Sequence, residues 1–130
     1  MNAGITGLYA GLIAVLLIAL SYRVSKLRLK SRVGIGDQGV VELQSAIRVQ
    51  GNLVEYAPIA LLLLLIAELN AAAPALALHA AGATLVLARL GHAFGLSSSP
   101  DRTPGRFYGT LLTWLVILVL GVLLIVNALN

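Results

Sequence analysis

The 130-residue sequence contains no cysteine, which excludes disulfide bonds, thiol nucleophiles and metal sites built from thiolates. It is also poor in charge, because only 11% of its residues are Asp, Glu, Lys or Arg, against about a quarter in a soluble domain. Its two histidines, His79 and His92, lie too far apart for a local metal motif, so no metal site is predicted. Apolar residues, by contrast, make up 59% of the chain. This balance indicates an integral membrane protein.

Four long apolar runs predict four membrane-spanning helices, each about long enough to cross a ~30 Å hydrocarbon core. They cover approximately residues 5–22, 40–69, 75–94 and 107–126. Asp37 is a candidate N-terminal cap for the second helix. Gly7 and Gly11, four residues apart, can seat a neighbouring helix closely, although such residues are also simply common in membrane helices. The sequence therefore predicts an all-α four-transmembrane-helix bundle, with residues 1–130 as a single integral membrane domain.

The basic residues lie mostly beside the membrane segments, so the net charge of +4 does not indicate a nucleic-acid partner. Seven of the nine lie after the first helix or before the fourth: Arg23, Lys26, Arg28, Lys30, Arg32, Arg102 and Arg106. The positive-inside rule predicts that both of these basic loops are cytoplasmic and that both termini lie outside.

One polar stripe interrupts the second apolar segment. Arg48, Asn52 and Glu55 fall within about 60° of one another on a helix. Ionisable groups are expensive within a bilayer, so the stripe is expected to face the bundle interior or a cavity. Arg89 and His92, spaced i, i+3 on the third helix, are predicted to lie at a similar depth in the cytoplasmic half. The two clusters are therefore expected to meet.

Two interpretations of this cluster stay open at this point. A buried ion pair, Arg48 with Glu55 or Arg89 with Glu55, would lock the helices together, although burying ions often adds no net stability. Two arginines to one deep carboxylate also leave a positive surplus, which favours an anionic ligand. His92 either packs and hydrogen-bonds or contacts that ligand. Arg106 either holds an anion or thiolate or is a cytoplasmic charge at a helix end.

The helix-two stripe is also part of a recognisable pattern. In the second of four helices, the run Arg48-xxx-Asn52-xx-Glu55-Tyr56-x-Pro58 resembles the signature of the MAPEG family, the membrane-associated proteins of eicosanoid and glutathione metabolism. The resemblance extends over nearly the whole chain, through its length, its basic first loop, an Ala-Arg-Leu run in helix three and an arginine opening helix four. It implies a homotrimer that binds glutathione between neighbouring subunits near the cytoplasmic side.

The resemblance also implies roles for individual residues. Arg48, Asn52, Glu55 and Tyr56 match positions that hold glutathione, whose two carboxylates suit arginines and whose ammonium suits a carboxylate. Further candidate contacts are Arg28 in the first loop and Arg89 and His92 on the third helix. Arg106 resembles the arginine that stabilises the glutathione thiolate and is the catalytic candidate. The loop spacing differs from the family pattern, which leaves Arg102 as a competitor for that role.

A departure from the pattern narrows the kind of family member expected. His92 and Leu96 stand where leukotriene-forming relatives carry tyrosines, which favours a bacterial-type member in the inner membrane that resembles the microsomal glutathione transferases. The expected function is then a transferase or peroxidase with glutathione as co-substrate and a hydrophobic or lipid-like second substrate. A non-catalytic scaffold that binds glutathione or lipid is the first alternative, and a small four-helix transporter with Glu55 as its coupling carboxylate is the second.

Overall fold

The computed structural model describes residues 2–98 and 103–130, with the side chains of residues 96–98 excepted. This part of the chain is all-α, with α1 at Gly4–Ser31, α2 at Val41–Leu69, α3 at Ala75–Ser98 and α4 at Pro104–Leu129. All four helices are long and apolar enough to cross a membrane. The predicted four-helix fold class is confirmed.

The first helix is longer than the sequence pattern predicts, because it runs nine residues beyond Tyr22 to Ser31. Its apolar residues Val24 and Leu27 are buried against Leu43 and Ala46 of α2, so the basic segment packs as an amphipathic helix rather than forming a loop. With 28 residues, α1 is about 42 Å long, which exceeds a ~30 Å hydrocarbon core by some two turns. Four of the five basic residues between positions 23 and 32 therefore lie on a helical extension.

The turn before α2 departs from the prediction for Asp37. The N-cap of α2 is Val40, and no side chain caps this helix. Asp37 Oδ1 instead accepts a hydrogen bond from the N–H of Gly39 at 2.9 Å, and the Asp37 carbonyl accepts from the N–H of Val40 at 2.9 Å. The prediction that Asp37 caps the helix is wrong, because an Asp side chain bonds the nearest free N–H, which here belongs to the turn.

Helices α3 and α4 approach closely along a seam of glycines. Gly91 and Gly95 on α3 face Gly105 on α4, and Gly109, four residues further along α4, faces Ala88 and His92 on α3. A Cβ added to Gly109 would lie 2.5 Å from the carbonyl oxygen of Ala88, and one added to Gly105 would lie 2.7 Å from that of Gly91. The absence of side chains along this seam brings the first two turns of α4 against α3.

The glycine pair noted in α1 has no such role within the chain. A Cβ added to Gly7 or Gly11 would meet nothing within 4 Å. The close contact between α1 and α3 is made instead at Gly82, where an added Cβ would overlap the ring of Tyr9. The small-residue face of α1 therefore stays open on the surface of the chain.

The other end of the bundle, away from the basic segment, is tied together by polar contacts. The Glu68 carboxylate accepts hydrogen bonds from the backbone N–H of Ile5 at 2.8 Å and of Thr6 at 2.7 Å. The Tyr9 hydroxyl bonds His79 Nδ1 at 3.1 Å. Beneath these contacts lies the largest apolar cluster, which draws residues from all four helices, among them Leu64, Leu78, Leu85 and Leu120. The polar cluster of Arg48, Asn52, Glu55 and Arg89 lies toward the opposite end.

Candidate functional site

The polar stripe of α2 carries an ion pair on the surface of the chain. Arg48 Nη1 lies 3.3 Å from Glu55 Oε1, and the two side chains are 57% and 51% exposed. The buried face of α2 is a different one, which runs through Val49, Leu53 and Ala57. The ion pair therefore points away from the core of its own chain. The expectation that the stripe faces the bundle interior is wrong for the single chain, and the other expectation, that it faces a cavity, stays a prediction.

Arg89 is buried and bonded to carbonyl oxygens. Its side chain is 2% exposed, and its Nη1 donates to Asn52 Oδ1 at 2.5 Å and to the Asn52 carbonyl at 3.5 Å. Its Nη2 donates to the carbonyl of Gly109 at 3.2 Å. Its Nε is buried without a partner in the described chain. The pairing of Arg89 with Glu55 considered above is not formed, because Glu55 bonds Arg48.

His92 lies one turn beyond Arg89 on α3 and is only 4% exposed. Its backbone N–H and Cβ face the Cα of Gly109, where an added Cβ would lie 2.8 Å from both atoms. The positive charges of Arg89, Arg106 and Arg48 all act on its ring. The α2 and α3 clusters meet, as the depth argument predicts, because Arg89 bonds Asn52.

Tyr56 of α2 lies beside α4. Its ring is 6.3 Å from that of Trp114 between centroids, with the planes tilted by 58°. Trp114 is 52% exposed and lines an open cavity on α4. The pair connects the end of the α2 stripe to the surface of α4.

Arg106 lies in the first turn of α4, three residues after the N-cap. Thr103 is that cap, and its Oγ1 accepts a hydrogen bond from the N–H of Arg106 at 3.4 Å, with Pro104 at the first helical position. The Arg106 side chain is exposed and borders an open cavity of about 730 Å³ on this face of α4, whose lining residues all lie between positions 103 and 114. Other residues that line the cavity include Phe107, Tyr108, Thr110, Leu111 and Trp114. Arg102, the competing arginine, lies outside the described residues.

Arg28 has all of its observed contacts within the connection between α1 and α2. Its Nη1 donates to the carbonyls of Val33 at 3.5 Å, Gly34 at 3.3 Å and Gly36 at 2.8 Å. These bonds hold the turn that reverses the chain after α1. The contacts of Arg28 in the structure therefore stabilise this turn. A contact between Arg28 and a ligand stays a prediction.

The charge balance of the cluster is positive. The charges of Arg48, Arg89 and Arg106 all act on His92, and Glu55 is the only carboxylate paired with any of these arginines among the described residues. Arg89 is solvated by carbonyl oxygens, which leave its charge uncancelled. The arrangement therefore offers two exposed guanidinium groups and one exposed carboxylate, which suits a ligand with more than one anionic group and one cationic group.

Four helices fit to cross a membrane, with a cationic polar cluster on one face, define a small integral membrane protein. The sequence model of the MAPEG family matches residues 6–126. The chain belongs to this family, which confirms the resemblance drawn from the α2 signature.

Two relatives are similar over most of their length. The Inner membrane protein YecN of Escherichia coli strain K12 is 42% identical over 116 residues, which cover 89% of this chain and 86% of that protein. The protein of the same name from Escherichia coli O6:H1 matches with the same identity and coverage.

Proposed function

We propose that this protein binds glutathione in the membrane and conjugates it, through its thiolate sulfur, to hydrophobic electrophiles. The observation that carries the proposal is the exposed Arg48–Glu55 pair, which lies in a membrane-spanning helix beside further uncancelled arginine charge. Glutathione has two carboxylates and one ammonium group. The carboxylates match the exposed guanidinium groups, and the ammonium matches Glu55.

The chemistry requires a thiolate, and Arg106 is the residue proposed to favour it. A guanidinium at the first turn of α4 adds to the positive end of the helix dipole, so both stabilise a nearby anion. The thiolate sulfur then forms a bond to an electrophilic carbon, and the leaving group departs with its bonding electrons. With a hydroperoxide, two glutathione molecules are oxidised to the disulfide while the hydroperoxide is reduced to an alcohol and water. The chain needs no nucleophile of its own, which suits its lack of cysteine.

The cavity on α4 supports a hydrophobic or lipid-like second substrate. It measures about 730 Å³, borders Arg106 and is walled by the aromatic residues Phe107, Tyr108 and Trp114. A substrate dissolved in the bilayer could enter this cavity from the side and present its electrophilic atom near Arg106.

A homotrimer is the proposed assembly. Arg48 and Glu55 are more than half exposed on the single chain, and charged groups facing lipid are costly. A neighbouring copy that covers this face of α2 would remove the cost and enclose a bound glutathione between subunits. The relatives named as inner membrane proteins support the same location here. The proposed orientation places both basic segments, the end of α1 with its following turn and the start of α4, in the cytoplasm and both termini outside.

The experiment that tests the proposal is calorimetric titration of the detergent-purified protein with glutathione. We expect saturable binding that is lost in Arg48→Ala and in Glu55→Gln, with ultraviolet thiolate absorbance in the intact protein. Glu42→Gln is the matched control, because Glu42 is an exposed carboxylate at the start of the same helix and should leave binding unchanged. The absence of binding by the intact protein would overturn the proposal.

The size and apolar lining of the α4 cavity also favour a second candidate, a non-catalytic protein that binds lipid or glutathione. Turnover separates the two. A transferase consumes a chromogenic electrophile with glutathione and loses this activity in Arg106→Ala, whereas a scaffold shows no turnover and at most a changed affinity.

A further inference from the structure

Arg89 of α3 donates a hydrogen bond to the side-chain oxygen of Asn52 on α2. We infer that Arg89 is a positioning residue, which fixes the side-chain amide of Asn52 so that its NH₂ group is presented to the ligand bound along the α2 stripe. Asn52 is then a hydrogen-bond donor, and it recognises a carbonyl or carboxylate oxygen of that ligand. This inference rests on the proposed glutathione site, since that site supplies the ligand.

The orientation of the amide follows from the chemistry of the guanidinium. Arginine has five N–H donors and no acceptor, so the Asn52 atom that contacts Arg89 Nη1 must be the carbonyl oxygen Oδ1. The Nδ2 group is then directed away from Arg89. Asn52 is only partly buried, and none of the hydrogen bonds found in the described chain uses its Nδ2. Without Arg89 the amide could rotate and present either end, as amide groups commonly can.

The position of Asn52 on α2 indicates what its NH₂ group faces. It follows Arg48 by four residues and precedes Glu55 by three, which are the spacings of one helical face. The ion pair between those two side chains spans the turn that carries Asn52. A ligand that engages both ends of this stripe passes over Asn52, which contributes a neutral donor between a cationic and an anionic group.

Because Arg89 is buried, it cannot contact a ligand that lies along the α2 stripe. Its side chain is 2% exposed, and its terminal nitrogens are engaged by Asn52 and by the Gly109 carbonyl. Gly109 lies three residues after Arg106, and its carbonyl also accepts from Thr113 Oγ1 at 2.8 Å. One buried guanidinium thus joins the α2 stripe to the turn of α4 that follows Arg106. Its contribution to ligand binding is indirect.

A double-mutant cycle tests the inference on the detergent-purified full chain, with glutathione as the titrant. We expect Asn52→Ala to lower the affinity about tenfold, the effect of losing one good hydrogen bond. Arg89→Met should lower it by a similar factor when Asn52 is present, and by little more when Asn52 is already Ala. Additive losses would mean that Arg89 acts on the ligand independently and would overturn the inference, as would full affinity in Arg89→Met.

Asn52→Asp provides a second test that does not depend on removing the buried charge. The carboxylate still accepts from Arg89 in a charge-assisted bond, so the thermal midpoint should be unchanged or higher. The NH₂ donor is lost, so the glutathione affinity should fall at least tenfold. An affinity equal to that of the intact protein would overturn the inference. If the intact protein itself fails to bind, the proposed function falls, whereas binding with an additive cycle removes only this inference.

Discussion

The carboxylate of Glu68, near the last turn of α2, accepts a hydrogen bond of 2.7 Å from the backbone N–H of Thr6 in the first turn of α1. The first N–H groups of a helix have no partner within the helix. The N-cap of α1 is Ala3, which has no side chain able to accept from them. Glu68 supplies the cap from another helix, and its negative charge is favourable at the positive end of the α1 dipole.

Replacing Glu68 should therefore destabilise the bundle without affecting the candidate site. We expect Glu68→Ala to lower the free energy of unfolding by about 1–2 kcal/mol, the usual cost of losing an N-cap. The measurement is thermal unfolding in detergent, together with glutathione titration, in which the affinity should be unchanged. Glu42→Ala, an exposed carboxylate on the same helix, should change stability by no more than about 0.5 kcal/mol. Equal losses in both variants would contradict the capping role.

The glycine seam between α3 and α4 predicts a strong contrast between two Gly-to-Ala changes. A Cβ at Gly109 would lie 2.5 Å from the Ala88 carbonyl oxygen and 2.8 Å from His92 atoms, so α4 must move away from α3. We expect Gly109→Ala to cost about 1–3 kcal/mol, as overpacking does. It should also weaken glutathione binding, because the Gly109 carbonyl holds Arg89. Unfolding midpoints and titration check both effects.

Gly7→Ala is the matched control for the seam. Nothing lies within 4 Å of a Cβ at this position in the chain, and alanine is the better helix former by up to about 1 kcal/mol. Its stability should therefore be equal or higher. A loss in Gly7→Ala as large as that in Gly109→Ala would show instead that the open α1 face is packed against another copy.

The four helices could be predicted from the sequence because a membrane-spanning helix requires a long apolar run, and such a run can be recognised without knowing the fold. The end of α1 could not, because charged residues suggested a loop. Only the partners Leu43 and Ala46 show that Val24 and Leu27 are buried. The glycine seam was present in the sequence as two four-residue spacings, Gly91 to Gly95 and Gly105 to Gly109. Spacing alone does not distinguish these from the unpaired Gly7 and Gly11.

The candidate site was partly predictable for the same kind of reason. Helical periodicity puts Arg48, Asn52 and Glu55 on one face, and the structure pairs Arg48 with Glu55 accordingly. Periodicity does not say which neighbour that face meets, so the outward direction of the pair could not be derived. The contact between Arg89 and Asn52 joins residues 37 positions apart, and only the packing of α3 on α2 produces it.

Arg28 is predicted to hold the connection between α1 and α2. Its Nη1 bonds the carbonyls of Val33, Gly34 and Gly36, with distances from 2.8 Å to 3.5 Å. We expect Arg28→Ala to speed amide hydrogen exchange in residues 33–39, measured by mass spectrometry, because the turn loses its common donor. Lys30→Ala removes an exposed charge from the same turn of α1 and should leave exchange unchanged. Matching exchange rates in the two variants would contradict the structural role of Arg28.

Arg106 and Arg102 can be separated by their effect on the glutathione thiolate. Arg106 borders the cavity on α4 and adds to the positive field of the helix N-terminus, so its loss should remove stabilisation from the anion and from any transition state derived from it. We expect Arg106→Ala to abolish the thiolate absorbance of bound glutathione and to lower turnover with a chromogenic electrophile by about a hundredfold, the scale of losing one preorganised charge-stabilising donor. Arg106→Lys should restore part of both signals, because it keeps the charge but not the forked geometry.

Arg102→Ala is the comparison, and we expect it to retain both signals. The opposite pattern would assign the thiolate to Arg102 and leave Arg106 as a charge at the helix end.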